Sequence, residues 1–330
     1  MDKNYHIFSS GRIERKDNTV RFVDEAEEKS YLPIENVEAV FLHGQIDFNT
    51  RLISFLNRNG VAMHVFGWND YYAGSIMPKR GHTSGQTLVN QVRAYDDPIH
   101  RLSIAQKLVD GSIHNMRTNV SYYHNRRTDL AHVLTELETA ASRIGTSEDV
   151  SELMGIEATA RKAYYQIFDA VLPDGFRMVR REFNPPSNEV NSLISFGNGL
   201  VYAGCVSAIR ATALDPAVSF LHEPGERRYS LSLDLADVFK PILSDRVLFR
   251  VVNRKQITAD DFEEELGACL LSESGRKTYA KEFEKTLERT VEHPDLRRNV
   301  SYQYLLRLEA YKLKKHLLTG EEYRPFKRWW

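Results

Sequence analysis

The sequence predicts an α+β protein in which a small N-terminal β-sheet domain, sandwich-like in type, precedes a larger all-α domain. Short runs of β-branched and aromatic residues, separated by charged or turn-forming clusters, fill roughly the first 80 positions and are typical of strands. Beyond residue 86 the apolar residues recur with the period of a helix. The chain has 330 residues, of which 42% are hydrophobic and 27% charged, as in a soluble protein of two domains.

Five strands and one helix are predicted for the β domain. The strands fall at 5–10, 19–23, 37–42, 61–66 and 71–76. A helix is predicted over 50–59, because its apolar residues share one face and Gly60 suits the position just after a helix. Pro78 and the glycines that follow it indicate a linker at about 78–90. The predicted domains are therefore 1–85 and 86–330.

The rest of the chain is predicted to be helical. Helices are expected at 98–116, 122–144, 149–171, 190–212, 234–252, 258–270, 276–291 and 297–318. Residues 146–149, Thr-Ser-Glu-Asp, resemble a capping box and mark the start of the third helix. The sequence has neither internal repeats nor low-complexity segments, so one β domain followed by one helical domain accounts for the whole pattern.

Charge, cysteine usage and absent motifs exclude several classes of protein. Lys and Arg number 44 against 45 Asp and Glu, so the total charge gives no reason to expect an anionic partner. Cys205 and Cys269 are too few for a disulfide scaffold or a zinc ribbon and fit a reducing compartment. The N-terminus lacks a signal-peptide segment and no apolar run reaches the ~18–20 residues that span a bilayer, so a cytoplasmic protein without a membrane partner is expected. Neither a glycine-rich phosphate loop nor a GxSxG elbow occurs, which argues against nucleotide hydrolysis and bound nucleotide cofactors.

Local charge differs from the total near the C-terminus. Residues 276–330 carry 14 Lys and Arg against 8 Asp and Glu. This excess fits either solvated helix faces or a surface that contacts phosphates. The tail 323–330 mixes aromatic and basic residues, which fits a nucleic-acid surface and equally fits aromatic anchors at a subunit interface.

The most unusual stretch, residues 219–241, combines a histidine with two carboxylates. His222 is followed by a Pro-Gly turn and a run that reads as extended, after which come Asp234 and Asp237. If a helix begins at Asp234, the two carboxylates lie on the same side, one turn apart. Taken alone, Asp234 equally fits a helix N-cap, and His222 fits a hydrogen-bonded structural histidine.

A second stretch, residues 155–165, places Glu157 beside an apolar helical face. Alone, Glu157 fits an i,i+4 ion pair with Arg161, worth ~0.3–0.5 kcal/mol. Together with His222 and the aspartates it forms a mixed nitrogen and oxygen donor set for Mg²⁺ or Mn²⁺, in which the imidazole favours Mn²⁺. Such a cation polarises a phosphodiester and activates an attacking hydroxyl. Spacing alone does not establish that Glu157 meets His222.

Short motifs follow one another in a fixed order along almost the whole chain. They are Leu32-Pro-Ile-Glu-Asn-Val-Glu-Ala-Val-Phe-Leu-His-Gly, Gly60-Val-Ala-Met-His-Val-Phe-Gly-Trp, Gly155-Ile-Glu157-Ala-Thr-Ala-Arg161, Asn191-Ser-Leu-Ile-Ser-Phe-Gly, Leu214-Asp-Pro, Leu221-His222, Arg228-Tyr-Ser-Leu-Ser-Leu-Asp234-Leu, Phe239-Lys-Pro, Asp245-Arg246-Val, Asn253-Arg254, Asp261-Phe262 and Tyr323-Arg-Pro-Phe326. This ordered set resembles the CRISPR-associated integrase of spacer acquisition, the endonuclease common to most CRISPR systems.

The resemblance implies a catalytic α-helical domain and a β domain that forms a homodimer. It also implies a small ferredoxin-fold CRISPR-associated partner that bridges two such dimers. The metal ligands of the family fall on Glu157, His222 and Asp237, which would be the catalytic residues. Many members have Glu where this chain has Asp237, so Asp234 stays a competing ligand or a residue behind the metal.

The implied activity is that of a metal-dependent DNA integrase. Two 3′-hydroxyls of a short duplex, the protospacer, attack phosphodiesters at the ends of a CRISPR repeat, and water in their place gives endonuclease activity. No nucleotide cofactor is needed, because one phosphodiester is exchanged for another. Candidates for phosphate contacts are Arg161, Arg227, Arg228 and Arg246, each of which could instead pair with a carboxylate. The alternatives are a stand-alone structure-selective nuclease with the same metal site and a non-catalytic scaffold that positions DNA.

Overall fold

Two four-stranded sheets and one helix form the first part of the chain. The computed structural model describes residues 3–79, 84–126, 129–182, 185–226, 228–265 and 267–329. Its first elements are β1 (Lys3–Ile7), β2 (Gly11–Lys16), β3 (Thr19–Asp24), β4 (Lys29–Pro33), β5 (Val37–Leu42), β6 (Ile46–Asp47), α1 (Thr50–Asn59), β7 (Ala62–Phe66) and β8 (Tyr72–Ile76). One sheet has the order β1-β5-β7-β8, with β8 antiparallel to three parallel strands. The other has the order β4-β3-β2-β6, an antiparallel meander with β6 parallel to β2.

The two sheets share an apolar core with α1. Ile13 of β2, Leu42 of β5 and Leu52 of α1 are fully buried in it. The helix starts where the side chain of Asn49 accepts a hydrogen bond from the backbone N–H of Leu52 at 3.1 Å. It ends at Gly60, whose φ of 75° lies in the left-handed region that favours glycine. The predicted bounds of this helix are therefore confirmed.

Three short strands, β2, β4 and β6, were not predicted from the sequence. β2 reads Gly-Arg-Ile-Glu-Arg-Lys and buries Ile13 alone, because its other side chains face solvent. The charged residues of β2 mask the alternating pattern of a strand, but they also stabilise it. Nε of Arg21 in β3 donates to Oε1 of Glu14 in β2 across the strand pair at 3.0 Å. A strand with one buried side chain gives too weak an alternation to be recognised by its pattern.

The second part of the chain is mostly helical, which confirms the predicted fold class. Its helices are α2 (Gly85–Asp96), α3 (Pro98–His124), α4 (Ala131–Arg143), α5 (Val150–Val171), α6 (Glu189–Arg210), α7 (Ser230–Phe239), α8 (Arg246–Asn253), α9 (Glu273–Leu287) and α10 (Tyr302–Thr319). Two antiparallel hairpins interrupt them, formed by β9 (Phe262–Glu265) with β10 (Ala268–Leu271) and by β11 (Thr290–His293) with β12 (Arg298–Ser301). α5 starts close to the predicted position, but the capping box predicted over residues 146–149 does not form. The side chain of Asp149 caps the N–H of Glu152 at 2.8 Å, and the hydroxyl of Thr146 donates to the carbonyl of Arg143 instead.

The hairpins correct two predicted helices. The segment 258–270 is a short 3₁₀ turn followed by β9 and β10, and Gly267, with a φ of 78°, lies in the tight turn between the strands. The last predicted helix begins only at Tyr302, because the residues before it pair in β12. Both segments have apolar residues at helical spacing, but backbone pairing within a hairpin overrides that weak signal.

α6 is the central helix of this region. Contrary to the sequence expectation, α6 is long and apolar enough to cross a bilayer, but 67% of its most apolar window is buried inside the fold, as in a core helix. Gly197 of α6 allows close packing, since a Cβ at this position would lie 2.1 Å from Oη of Tyr279 and 2.3 Å from Oγ of Ser244. α6 is thereby joined to α9 and to the segment that follows α7.

The first sheet packs its second face against the helices. Phe41 of β5 and Phe66 of β7 belong to the same buried core as α6. His64 of β7 is fully buried, and its Nε2 hydrogen-bonds with Oγ of Ser207 in α6 at 2.8 Å. Asp70, in the turn before β8, forms an ion pair with Arg276 of α9 at 3.1 Å. The first sheet is therefore fixed to α6 and α9.

The segment after α10 packs into the helical core. Oη of Tyr323 and the backbone N–H of Phe326 both donate to Oε1 of the buried Glu309, at 2.5 and 3.0 Å. The ring of Phe326 stacks on Phe239 of α7, with the centroids 5.0 Å apart. These two aromatic residues anchor the tail inside its own chain, which neither of the roles suggested by the sequence had anticipated. Trp329, by contrast, is 41% exposed.

Candidate active site

Three parts of the helical region bring the predicted ligands to one place. Glu157 lies in α5, His222 in the connection between α6 and α7, and Asp237 in the last turn of α7. Nε2 of His222 lies 3.8 Å from Oδ2 of Asp237. Glu157 and Asp237 meet at the guanidinium of Arg161, whose Nη2 contacts Oε1 of Glu157 and lies 3.3 Å from Oδ1 of Asp237. The folded chain thus supplies the proximity that the spacing in the sequence left open.

α7 begins four residues earlier than predicted, at Ser230. The run expected to be extended is its first turn, because Leu231, Leu235 and Val238 recur at helical spacing and are fully buried. Asp234 therefore lies in the interior of the helix, and of the alternatives left open by the sequence the N-cap is wrong.

Asp234 binds the segment that carries His222. Its Oδ2 accepts hydrogen bonds from the backbone N–H groups of Phe220, at 2.7 Å, and Leu221, at 3.1 Å. Its Oδ1 accepts from the backbone N–H of His222 at 3.0 Å and from the ring Nδ1 at 2.8 Å. Since an ionised carboxylate only accepts, Nδ1 donates, and the lone pair of the neutral imidazole lies on Nε2, towards Asp237.

Two cations lie against the carboxylates. Nε of Arg161 donates to Oε1 of Glu157 at 2.6 Å, which is the i,i+4 ion pair that the sequence offered as the alternative to a metal site. Nζ of Lys240 donates to Oδ1 of Asp237 at 2.5 Å. The side chains of Arg161, Glu157 and Asp237 are 19%, 16% and 8% exposed, so these charges interact with little screening by water.

The buried charges shift one another's pKa. Burial by itself raises the pKa of the Asp237 carboxyl, but Arg161, Lys240 and His222 outweigh it and hold this pKa well below its ordinary range. Burial lowers the pKa of the His222 imidazole, whereas the hydrogen bond to Asp234 and the neighbouring carboxylates raise it above its usual value. At neutral pH, Asp237 is therefore an ionised carboxylate surrounded by positive charge.

The metal-ligating atoms of this site suit a divalent cation, but the carboxylates are at present in contact with basic side chains. Two carboxylates and one imidazole nitrogen are a donor set that Mg²⁺ and Mn²⁺ take in proteins. Among the residues that the structure describes, no three such donors stand at metal-ligating spacing. Glu157 and Asp237 face Arg161 and Lys240 instead. The donor set fits the metal once the carboxylates exchange these contacts.

The sequence prediction missed a buried carboxyl behind the site. One turn of π-helix, Pro241–Asp245, separates α7 from α8, and such turns are frequent at functional sites. Oη of Tyr164 donates to Oδ2 of Asp245 at 2.9 Å and accepts from Nδ2 of Asn119 at 3.0 Å. Burial raises the pKa of Asp245 to about 7, against the hydrogen bond from Tyr164 and the charges of nearby basic residues. In the sequence, Asp245 belongs to the motif Asp245-Arg246-Val, but that motif by itself assigns it no role.

A cleft of about 650 Å³ opens beside Lys240, between the turn before β8 and helix α6. Its walls are rich in aromatic and basic side chains, contributed by Tyr71, Tyr72, Arg181, Tyr202 and Arg228. Tyr202 is held in place, because its Oη accepts the backbone N–H of Tyr229 at 2.8 Å. Aromatic faces beside positive charge are the features with which proteins bind single-stranded nucleic acid.

The four arginines predicted to contact phosphates have different surroundings. Arg161 is occupied by the site carboxylates. Arg228 lines the cleft and donates to a backbone carbonyl at 2.9 Å. Arg246 lies over the ring of Tyr122, with its guanidinium carbon 5.2 Å from the centroid. Arg227 lies outside the described residues.

Comparison with protein families accounts for the motifs along the chain. The sequence model of the family described as CRISPR associated protein Cas1 matches residues 5–285, which include Glu157, His222 and Asp237. The chain belongs to the Cas1 family. The resemblance inferred from the ordered motifs is thereby confirmed.

Cas1 proteins match this chain over nearly its full length. It is 54% identical over 327 residues to a CRISPR-associated endonuclease Cas1 from Haloferax volcanii, with 99% of each chain covered. It superposes on the structure of a Cas1 protein from Thermotoga maritima with a TM-score of 0.85 at 35% identity, covering 97% of this chain and 99% of that one. A casposase bound to an integration product has a TM-score of 0.90 at 19% identity, with 99% and 93% covered. At that identity the likeness shows a shared fold alone.

Proposed function

We propose that this Cas1 family member is a metal-dependent DNA integrase and endonuclease that inserts short duplex DNA, as new spacers, into a CRISPR array. The observation that carries the proposal is the convergence of Glu157, His222 and Asp237 from three separate parts of the fold. The basic and aromatic cleft beside them suits a nucleic-acid substrate. The relatives named as endonucleases support the nuclease part of the proposal.

Glu157, Nε2 of His222 and Asp237 would hold Mg²⁺ or Mn²⁺. When bound, the ion supplies a Lewis acid that polarises a phosphodiester and activates a hydroxyl. Asp234 orients the imidazole from behind, as second carboxylates do at metal-bound histidines. Both oxygens of Asp234 already accept hydrogen bonds and its side chain is fully buried, so Asp237 rather than Asp234 is the third ligand.

In the proposed reaction, a 3′-hydroxyl oxygen of the short duplex attacks a phosphorus at the end of the repeat. The bond from that phosphorus to the 3′-oxygen of the repeat strand breaks, and the leaving oxygen takes up a proton. Lys240, which lies beside Asp237, places positive charge where the phosphate develops negative charge. Water as the attacking group gives simple cleavage. No nucleotide cofactor is required, because the number of phosphodiester bonds is conserved.

We also propose the assembly that the resemblance implies. The chain forms a homodimer through its β domain, and a small ferredoxin-fold CRISPR-associated partner bridges two dimers on double-stranded DNA in the cytoplasm. The packing of the first sheet on α6 supports a fixed relation between the dimerising part and the catalytic part. Size-exclusion chromatography with light scattering, with and without the partner, tests these states.

The test of the activity uses a supercoiled plasmid that carries a repeat array and a short duplex with free 3′-hydroxyls. The wild-type protein with Mg²⁺ or Mn²⁺ should join the duplex to the repeat ends, and excess EDTA should abolish the joining. A duplex with dideoxy 3′ ends should block joining and leave nicking, which separates integration from the nuclease alternative. Glu157→Ala should bind DNA without joining it, which separates an enzyme from a scaffold. Full joining in EDTA, or by Glu157→Ala, would contradict the proposal.

A further inference from the structure

The guanidinium of Arg161 stands where the two site carboxylates converge. Its Nε donates to Oε1 of Glu157 at 2.6 Å, and its Nη2 contacts the same oxygen and lies 3.3 Å from Oδ1 of Asp237. Lys240 adds a second cation on that oxygen of Asp237. Arg161 therefore bridges two carboxylates that come from different helices, α5 and α7.

The bridge that Arg161 forms is an electrostatic contact with two carboxylates, but it leaves one guanidinium nitrogen without a hydrogen bond. Nη2 of Arg161 is buried and has no aligned hydrogen-bond partner, although it lies close to both carboxylates. An arginine built to stay in place normally satisfies its donors with carboxylate oxygens. Here the guanidinium neutralises the carboxylates without completing its own hydrogen bonds, so an ion of higher charge can replace it at small cost in hydrogen bonding.

We propose that Arg161 is a resident counter-ion, which holds Glu157 and Asp237 together in the metal-free protein and leaves that position when a divalent cation binds. The inference rests on the proposed metal site. It explains why the donors converge without standing at ligating spacing. A guanidinium and a divalent ion are both positively charged and repel each other at close range. The two therefore cannot occupy the space between the carboxylates of Glu157 and Asp237 together. Only after it has left can Arg161 contact a phosphate.

The first test compares Mn²⁺ binding by isothermal titration calorimetry in the wild-type protein, Arg161→Met and Arg117→Met. Arg117 is the matched control, because it also pairs with a glutamate, Glu138, at 2.7 Å, while its side chain is more exposed than that of Arg161, 39% against 19%. Without its counter-ion, Arg161→Met should bind Mn²⁺ about fivefold to tenfold more tightly than the wild type. In EDTA, Arg161→Met should have a lower melting temperature than the wild type, and Mn²⁺ should raise that temperature by more than it does in the wild type. Arg117→Met should match the wild type in Mn²⁺ affinity and in both melting temperatures.

Two different failures are distinguishable. If the wild type binds Mn²⁺ and Arg161→Met binds it equally or more weakly, Arg161 assists the metal and the counter-ion inference is wrong. If the wild type and Arg161→Met both fail to bind Mn²⁺, the proposed metal chemistry itself is wrong.

A second measurement needs no variant and so does not depend on how the substitution folds. Phenylglyoxal modifies accessible guanidinium groups, and mass spectrometry reports the extent at each arginine. In the wild-type protein the rate at Arg161 should rise several-fold when Mn²⁺ replaces EDTA, while the rate at Arg117 stays constant. An unchanged or slower rate at Arg161 in Mn²⁺ would overturn the inference.

Discussion

Nδ1 of His222 donates a hydrogen bond to Oδ1 of Asp234 at 2.8 Å, across a separation of 12 residues in the chain. The same carboxylate accepts the backbone N–H groups of residues 220 to 222. α7 thus fixes both the path of the chain before His222 and the direction of its imidazole. A residue that appears from the sequence to end one element and start another instead organises the loop beside its helix.

The first prediction concerns Asp234→Ala. This change leaves three backbone N–H groups and the imidazole Nδ1 without their acceptor in a buried position, so the free energy of unfolding should fall by about 2–4 kcal/mol. Asp149→Ala is the control, because Asp149 is a true N-cap whose loss should cost ~1 kcal/mol. Urea denaturation of both variants makes the comparison, and equal losses would mean that Asp234 does no more than a cap.

The second prediction concerns Asp237→Asn and its dependence on pH. A site made of carboxylates alone would gain stability from this change, but Asp237 is surrounded by cations that hold its pKa below the unfolded value of 3.8. A depressed pKa stabilises the fold above the unfolded pKa, and this stabilisation is lost as the pH falls towards the folded pKa. In EDTA at pH 7, Asp237→Asn should therefore lose about 3 kcal/mol, since buried cations are left unpaired.

Melting temperatures measured at several pH values test the sign. The gap between wild type and Asp237→Asn should be largest near neutral pH and should close progressively below about pH 4. A variant that melts at or above the wild-type temperature at pH 7 contradicts the cationic surroundings described for Asp237.

The third prediction has the opposite sign, although Asp245 lies only eight residues further along. Burial raises its pKa from 3.8 to about 7, so between these values the carboxyl is ionised in the unfolded chain but still protonated in the fold, and the fold loses stability as the pH rises. Asp245→Asn keeps an acceptor for Tyr164 and cannot ionise. Its melting temperature should fall less than that of the wild type between pH 5 and pH 8.5, and parallel curves would show that Asp245 does not titrate there. His222 is present in both proteins, so its contribution cancels.

The site shows which relationships a sequence can reveal. The pair Glu157 and Arg161 follows from helical spacing, and the structure contains both that pair and the approach to Asp237. The resemblance left Asp234 as a competing ligand or a residue behind the metal, but its hydrogen bonds to residues 220–222 did not follow, because these partners lie in a loop whose path is set by tertiary packing. The raised pKa of Asp245 did not follow either, although the residue lies in one of the motifs, since this pKa depends on burial beside Tyr164 and not on neighbours in the sequence.

The fold shows a similar division. α1, with its Asn49 cap and Gly60 stop, is encoded by local signals and was predicted with the observed bounds. β2 buries one side chain and so shows no clear apolar period, whereas the segment of β9 and β10 has apolar residues at weak helical spacing but pairs as a hairpin through backbone hydrogen bonds. Elements held by partners distant in the chain, or by the backbone alone, are those that pattern reasoning misses.

The fourth prediction is that DNA affinity falls as salt rises, despite a net charge of −1. The basic residues of the cleft must displace counterions from the phosphates, so the logarithm of the binding constant should fall linearly with that of the salt concentration. Arg228→Gln should reduce this slope by about one. Arg177→Gln, a change at an exposed arginine paired with Asp174, is the control and should not. Fluorescence anisotropy across a salt series measures both slopes, and an affinity independent of salt would exclude phosphate contacts as the main attraction.

The fifth prediction separates the packed tail from a tail that serves a partner. Phe326 is buried against Phe239 of α7, the helix that carries Asp234 and Asp237, and its backbone is fixed by Glu309. Phe326→Ala should therefore lower the free energy of unfolding of the isolated protein by about 3–5 kcal/mol. It should also reduce strand transfer more than DNA binding, because α7 loses its support.

Two further variants are the controls for Phe326→Ala. Phe326→Leu should restore most of the stability and most of the strand transfer, and Trp329→Ala, at an exposed position, should have a much smaller effect. If Phe326→Ala left the melting temperature unchanged and weakened only the assembly, the tail would be an anchor for another subunit, as one of the two interpretations from the sequence held.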